Sequence, residues 1–197
     1  MKNKWCMLLI IIISVGTLLN TGCSKKEYTK EEVYEDFQKQ ISKFESYTCT
    51  AKVEAINNKE KNVYIFKHTY KKPNYYKLEI ESPKNLKGKT IEYKDDKAIV
   101  YNPNNNDTVE LESIKDDGHY LFVGDFIKNY MENKSAVLDL KEDELKIEIE
   151  IPGDNKYFNK QILYVDNKTK IPYKMEILNN EQKSIFKVTY EDFKYKK

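Results

Sequence analysis

An apolar run opens the chain. Met1–Trp5 is short and basic, and 6–19 follows as 14 residues in which only Ser14 and Thr17 carry hydroxyls. That length is short for a bilayer-spanning helix and suits the core of a secretory signal. From Thr29 the pattern turns helical. Thr29 and Glu32 have capping-box spacing, and Val33, Phe37, Ile41 and Phe44 recur on one face, which predicts a helix over 30–44. From Tyr47 the period drops to two. Strands are expected over 47–56, 62–70 and 76–80, then shorter ones over 90–93, 98–101 and 108–112, with turns rich in Asn, Asp, Pro and Lys between them. A second helix is expected over 119–133, capped by Asp117. Its apolar face is Val123, Ile127, Tyr130 and Met131, widened by Leu121, Phe122 and Phe126. Alternation then resumes over 145–151, 161–165, 171–177 and 186–190, with a hairpin turn at Asn179-Asn180.

The order helix, six strands, helix, four strands predicts an α+β fold that is mainly β. The expected architecture is an incomplete antiparallel barrel, a strongly curved sheet wrapping around two helices that fill its concave side. Phe37, Ile41, Phe122, Phe126, Ile127 and Tyr130 are the candidate lid residues, facing whatever cavity lies between helices and sheet. No repeat or interdomain linker interrupts 30–197, so one domain is expected.

Charge narrows the function classes. The 197 residues hold 34 basic and 32 acidic side chains, and no arginine. Two of the lysines, Lys2 and Lys4, lie before residue 23, leaving 32 of each sign from Cys23 onward. A neutral chain without arginine forks is a poor nucleic-acid binder. Tyrosine is abundant at 16 residues. Aromatics such as Tyr64, Phe66, Tyr70, Tyr75, Tyr76, Tyr157, Phe158, Phe186 and Tyr190 suit either a tyrosine-rich core or a binding surface. The edge strands of an open barrel offer main-chain pairing as a second docking mode.

Catalytic chemistry is sparse. The two histidines, His68 and His119, lack metal-ligand spacing and read as structural, His68 as a surface or partly buried strand residue. Cys49 and His68 fall on neighbouring strands, but no orienting residue or oxyanion turn accompanies them. The acidic pairs Asp95-Asp96, Asp116-Asp117 and Glu142-Asp143-Glu144 sit in turns beside lysines and read as solvated. No cofactor, metal site or catalytic residue is expected.

Two stretches carry resemblances. Leu19-Asn20-Thr21-Gly22-Cys23-Ser24 resembles the lipobox of bacterial lipoproteins, with Asn20 where that pattern prefers an aliphatic residue. The resemblance implies a signal peptide over 1–22, a lipid on Cys23 and a tether over 23–29. The lipid would hold the chain at the extracytoplasmic face of the membrane, each buried CH₂ contributing about 0.8 kcal/mol. A plain secreted protein and a retained anchor are the alternatives. Cys6 would leave with the signal, so Cys49 would have no disulfide partner within the mature chain.

Leu163–Ile177 (LYVDNKTKIPYKMEI) and Lys72–Pro83 (KPNYYKLEIESP) are similar to the strand–turn–proline–strand segments of the LolA, LolB and RseB family of lipoprotein carriers and sensors. Within that family the chain resembles the clostridial spore-germination lipoproteins of the GerS type. This implies a non-catalytic protein that pairs with a CwlD-type N-acetylmuramoyl-L-alanine amidase in making the spore cortex. The alternative that the family implies is a carrier of lipids or lipoproteins with an apolar cavity under the sheet. A homodimer formed by exchange of a strand or helix is open to any fold with free edges.

Overall fold

The computed structural model describes residues 28–57, 60–94, 97–112, 119–132, 136–141, 143–152 and 157–196. The lipobox, Cys23, Asp117 and the pairs Asp95-Asp96 and Asp116-Asp117 lie outside them, as does Glu142. The first helix, α1 (Lys30–Ser42), starts on the expected capping box: Thr29 Oγ1 accepts from the Glu32 N–H at 3.2 Å, and Glu32 accepts from the Thr29 N–H at 3.0 Å. It buries Val33, Phe37 and Ile41. Phe44 lies beyond the helix end but is equally buried.

Eleven strands follow: β1 (Ser46–Ile56), β2 (Lys61–Lys71), β3 (Tyr75–Ser82), β4 (Thr90–Lys94), β5 (Lys97–Asn102), β6 (Asp107–Glu112), β7 (Val137–Lys141), β8 (Glu144–Glu150), β9 (Lys160–Asp166), β10 (Pro172–Leu178) and β11 (Ser184–Lys196). The second helix, α2 (Val123–Glu132), separates β6 from β7. All strands pair antiparallel in one sheet of order β6-β5-β4-β3-β2-β1-β11-β10-β9-β8-β7, so that among the described residues β6 and β7 are its free edges. The expected class, a curved, unclosed, mainly β sheet around two helices, is the one observed.

The inner face follows from the alternation. Tyr47, Cys49, Ala51 and Val53 of β1 are buried, as are Phe66, His68 and Tyr70 of β2 and Tyr76, Leu78 and Ile80 of β3. Leu145, Ile147 and Ile149 of β8, Leu163 and Val165 of β9, and Val188 and Tyr190 of β11 complete that face. The outer face is wet and laced by cross-strand ion pairs such as Lys160–Glu148 (2.8 Å) and Lys61–Glu54 (2.8 Å). Exposed pairs of this kind contribute about 0–1 kcal/mol each, so the sheet is held by its inner face.

Four differences from the sequence expectation have physical reasons. Strand β7 was not expected; its VLDLK is short, and its inward residues Leu138 and Leu140 are only half-buried. The second helix is shorter than expected, because His119–Leu121 forms a 3-10 turn and α2 begins at Val123. Met131 is exposed (62%), not part of the apolar face. Finally, β11 runs six residues past Tyr190, through a β-bulge at Asp192, whose φ is 51°. Thr48 pairs with Lys194 but Thr50 with Glu191, so one extra residue is accommodated there. The bulge keeps Phe193 and Tyr195 on the inner face after Val188 and Tyr190.

Candidate docking surface

Three polar side chains from the sheet fix the segment leading into α2. Tyr47 Oη accepts from the Val123 N–H at 3.0 Å, satisfying a helix N-terminal donor. Tyr190 Oη donates to the Leu121 carbonyl at 3.0 Å, and Gln161 Nε2 donates to the Tyr120 carbonyl at 2.7 Å. Burial pushes the pKa of both Tyr47 and Tyr190 well above the ordinary phenol value, so they remain neutral donors and acceptors. Gly124 completes the seat. A Cβ there would fall 2.4 Å from the Tyr70 ring, so only glycine lets the helix approach this closely.

With α2 seated, the candidate lid residues are placed. Phe37, Ile41, Phe122, Phe126, Ile127 and Tyr130 are all buried in the one hydrophobic cluster that joins both helices to the sheet. Tyr130 meets Phe37 edge-on with ring centres 6.2 Å apart, and Phe122 stacks on His68 at 4.6 Å. The aromatic surplus goes largely the same way: Phe66, Tyr70, Tyr76 and Tyr190 are core residues. Tyr157 is exposed, while Tyr64, Tyr75, Phe158 and Phe186 are half-buried.

His68 is not the surface or partly buried residue expected of it. It is 1% exposed, it faces Cys49 directly across β1 and β2, and neither ring nitrogen has a hydrogen-bond partner. Burial lowers its pKa to about 3 and pushes the Cys49 thiol well up. A Cys–His nucleophile needs a thiolate beside an imidazolium, and this environment favours neither charge. His119 stacks on Tyr76 at 4.3 Å and meets Tyr93 edge-on at 4.5 Å, an aromatic setting. Among the described residues no three His, Cys, Asp or Glu side chains could hold a metal ion.

A groove of about 740 Å³ opens at the β7–β8 turn, lined by Lys141, Asp143, Glu144, Asp166 and Tyr173. Its polar groups are engaged with their neighbours. Lys168 pairs with Asp143 at 2.8 Å, Tyr173 Oη donates to Glu144, and Asp166 accepts from the Thr169 N–H at 2.7 Å and hydroxyl at 2.8 Å.

The inner face is left open on the β4–β6 side. Register carries the core rows outward from Tyr76 to Tyr93, Ala98 and Leu111, and from Leu78 to Ile91, Val100 and Val109. Ala98 is still buried (1% exposed), but at the edge strand Val109 and Leu111 are 47% and 45% exposed. An apolar strip contiguous with the core thus reaches solvent beside the unpaired edge of β6, a combination that suits docking of another chain. Sequence reading named the edges but not these residues. The signal was Val109 and Leu111 alternating with Thr108 and Glu110 on the last strand before a long connection.

The described residues thus form a core-filled half-barrel with an apolar strip exposed at the β6 edge. The chain belongs to the sporulation protein YdcC-like family, whose model matches residues 1–197. The sporulation protein YdcC of Bacillus subtilis (strain 168) is 22% identical over 200 residues, covering 100% of this chain but 58% of that protein, so the chain spans a little over half of its length. The GerS lipoprotein, in the structure of the CwlD amidase from Clostridioides difficile in complex with GerS, is 54% identical, over 88% of this chain and 99% of that one, with a TM-score of 0.56. A LolA superfamily protein from Nitrosomonas europaea aligns over 87% of this chain and 95% of its own at 14% identity and a TM-score of 0.45, a similarity without functional weight. No helix among the described residues is long and apolar enough to cross a membrane.

Proposed function

We propose that this protein is a non-catalytic lipoprotein that binds a CwlD-type amidase and supports its activity during modification of the spore cortex. The observation that carries the reading is the 54% identity, over 88% of this chain, to a lipoprotein whose solved structure is a complex with that amidase. The organisation proposed with it is a signal peptide over 1–22, a tether over 23–29 lipidated at Cys23, and one domain over 30–197. Tethering confines the search for a membrane-proximal partner and raises its effective concentration without new contacts. The amidase is assigned to the β4–β6 wing, where Val109 and Leu111 give an apolar anchor and β6 a free edge. An activator acts by favouring the competent state of its partner, so binding and enhanced hydrolysis belong together.

Co-purification of residues 24–197 with a CwlD-type amidase, followed by peptidoglycan hydrolysis with and without it, tests this reading. A stable complex and higher amidase activity are expected; no complex and unchanged activity reject it. Peptidoglycan hydrolysis by residues 24–197 alone would reject the non-catalytic part. Size-exclusion of the same sample tests the homodimer by strand or helix exchange. The carrier alternative fits the fold class, yet Phe37, Ile41, Phe126 and Ile127 occupy the space between helices and sheet that a ligand would need. Native mass spectrometry decides it, since a carrier retains an acyl ligand.

A further inference from the structure

We propose that the end of the sheet beside the C-terminal end of α1 is a lysine cluster that binds the anionic headgroups of a phospholipid surface. Three strands build it in register. On the outer face Lys71 of β2, Ser46 of β1 and Lys196 of β11 stand side by side in the last row, and Thr69, Thr48 and Lys194 form the row above. Acids border the cluster: Glu45 precedes Ser46, the bulged Asp192 follows Glu191, which is opposite Thr50 in the third row, and Lys67 of that row is held by Glu81 at 3.0 Å. Lys72 follows in the β2–β3 turn and Lys43 ends α1. The backbone of Glu45 draws these pieces together: its carbonyl accepts from the Lys72 N–H at 2.9 Å, and its N–H donates to the Lys196 carbonyl at 3.0 Å.

Lys43, Lys71, Lys72, Lys194 and Lys196 are all exposed, and none forms an ion pair among the described residues. The ammonium groups of Lys71 and Lys72 lie 5.5 Å from the ring centres of Tyr75 and Phe44, leaving their outward side to solvent. The carboxylates nearest in sequence and register are Glu45, Glu191 and the bulged Asp192. In a chain with 32 basic and 32 acidic residues from Cys23 onward, five unpaired lysines at one corner form a local field and not a reflection of net charge.

The point of departure is the N-terminal end of α1, about 20 Å along the helix from Lys43, and side chains link it to the β11 end of the cluster. Tyr28 has its ring 5.9 Å from Lys170 Nζ, and the Lys170 carbonyl accepts from Tyr195 Oη at 3.3 Å, between Lys194 and Lys196 in sequence. The five residues 24–28 span at most roughly 18 Å. The inference rests on the reading of Cys23 as the lipid site, because the lipid would hold Tyr28 within that reach of the bilayer and leave the cluster free to turn towards it. Each lysine at an anionic surface strengthens partition about fivefold. The cluster would orient the domain with its α1 C-terminal end towards the membrane and so fix how the β4–β6 wing meets a partner.

The test uses residues 24–197 without lipid. Every residue of the hydrophobic cluster and the side chains packed on it lies between Val33 and Tyr195, so this chain holds the whole folding unit. Co-sedimentation is measured with phosphatidylcholine vesicles and with phosphatidylcholine–phosphatidylglycerol vesicles, at low and physiological salt. Binding to the anionic vesicles alone, weakened by salt, is expected. K71E/K72E/K194E/K196E lowers it by more than about tenfold, whereas K52E/K187E, on the outer face further along β1 and β11, leaves it unchanged. K43Q/K72Q lies outside the strands, keeps the test alive should the quadruple variant not fold, and lowers binding by about tenfold or more. Equal binding to both vesicles, unchanged binding of both cluster variants, or binding to purified wall polymer but not to phosphatidylglycerol overturns the proposal. Because the sample carries no lipid, its failure leaves the anchor untouched. That reading has its own test in Cys23→Ala, which should lose lipid labelling and membrane association.

Discussion

The two wings of the sheet use the same alternation to different ends. On the β8–β10 side, Leu145, Ile147, Leu163, Val165 and Met175 are fully buried beneath the helices. On the β4–β6 side the pattern continues, Ile91, Val100, Val109 and Leu111 in place of those residues, but among the described residues only the 3-10 turn is seen to pack there, His119 against Tyr93, and exposure climbs to nearly half at β6. Alternation therefore specifies a face and not its covering. Which apolar rows become core and which remain available for a partner is decided by where α2 is pinned. The pins are Tyr47, Tyr190, Gln161 and the absent side chain of Gly124.

Matched leucines put the sharpest test on that contrast. Leu163→Ala on the covered side should cost about 2–5 kcal/mol in urea unfolding, and Leu111→Ala on the open wing about 0.5 kcal/mol or less. Equal losses would mean that the wing is covered in solution. Gly124→Ala should cost about 1–3 kcal/mol by forcing α2 away from Tyr70, read in the same melts. In binding the order reverses: Val109→Lys with Leu111→Lys should weaken amidase capture by about tenfold or more while leaving the unfolding midpoint nearly unchanged. A complex that survives this double change places the partner elsewhere.

A last test concerns His68 and reads a slope against pH. Its folded pKa of about 3 lies below the ordinary value of 6.5, so the unfolded chain takes up the proton first. Stability from this group is complete above pH 6.5 and falls by up to about 1.4 kcal/mol per pH unit as pH drops from 6.5 towards 3. His68→Phe removes two unpartnered buried nitrogens and keeps a ring against Phe122. Its unfolding free energy should fall less steeply over that window than that of the parent. A parallel decline in both proteins would show that His68 is not the titrating group.

Much of the architecture was legible because period-two and period-3.6 patterns are set locally. Thr29 and Glu32 announced α1, and Leu145–Ile151 and Tyr76–Ile80 announced their strands. What escaped depended on distant partners. Val137–Lys141 becomes a strand only because β8 offers an edge. His119–Leu121 turns as a 3-10 segment because Tyr190 and Gln161 hold its carbonyls from β11 and β9. His68 is buried because Phe122 comes to lie on it. The resemblance to the LolA, LolB and RseB family was carried by strand–turn–proline segments, and that to GerS-type lipoproteins by the lipobox, the lysine content and the length, none of which includes β4, β5 or β6. Both therefore pointed to the family, while the strip itself needed the register of β4, β5 and β6.

The bulge at Asp192 has a consequence for the chemistry of this end of the molecule. Strict alternation after Tyr190 would send Asp192, Lys194 and Lys196 inward and turn Phe193 and Tyr195 to water. One extra residue shifts the phase, so the same short tail delivers two aromatic rings to Tyr47 and Phe44 and two ammonium groups to the outside. Grease and charge are sorted at the terminus by a single backbone irregularity, and a chain shortened by that residue would hold the same letters with their meaning inverted.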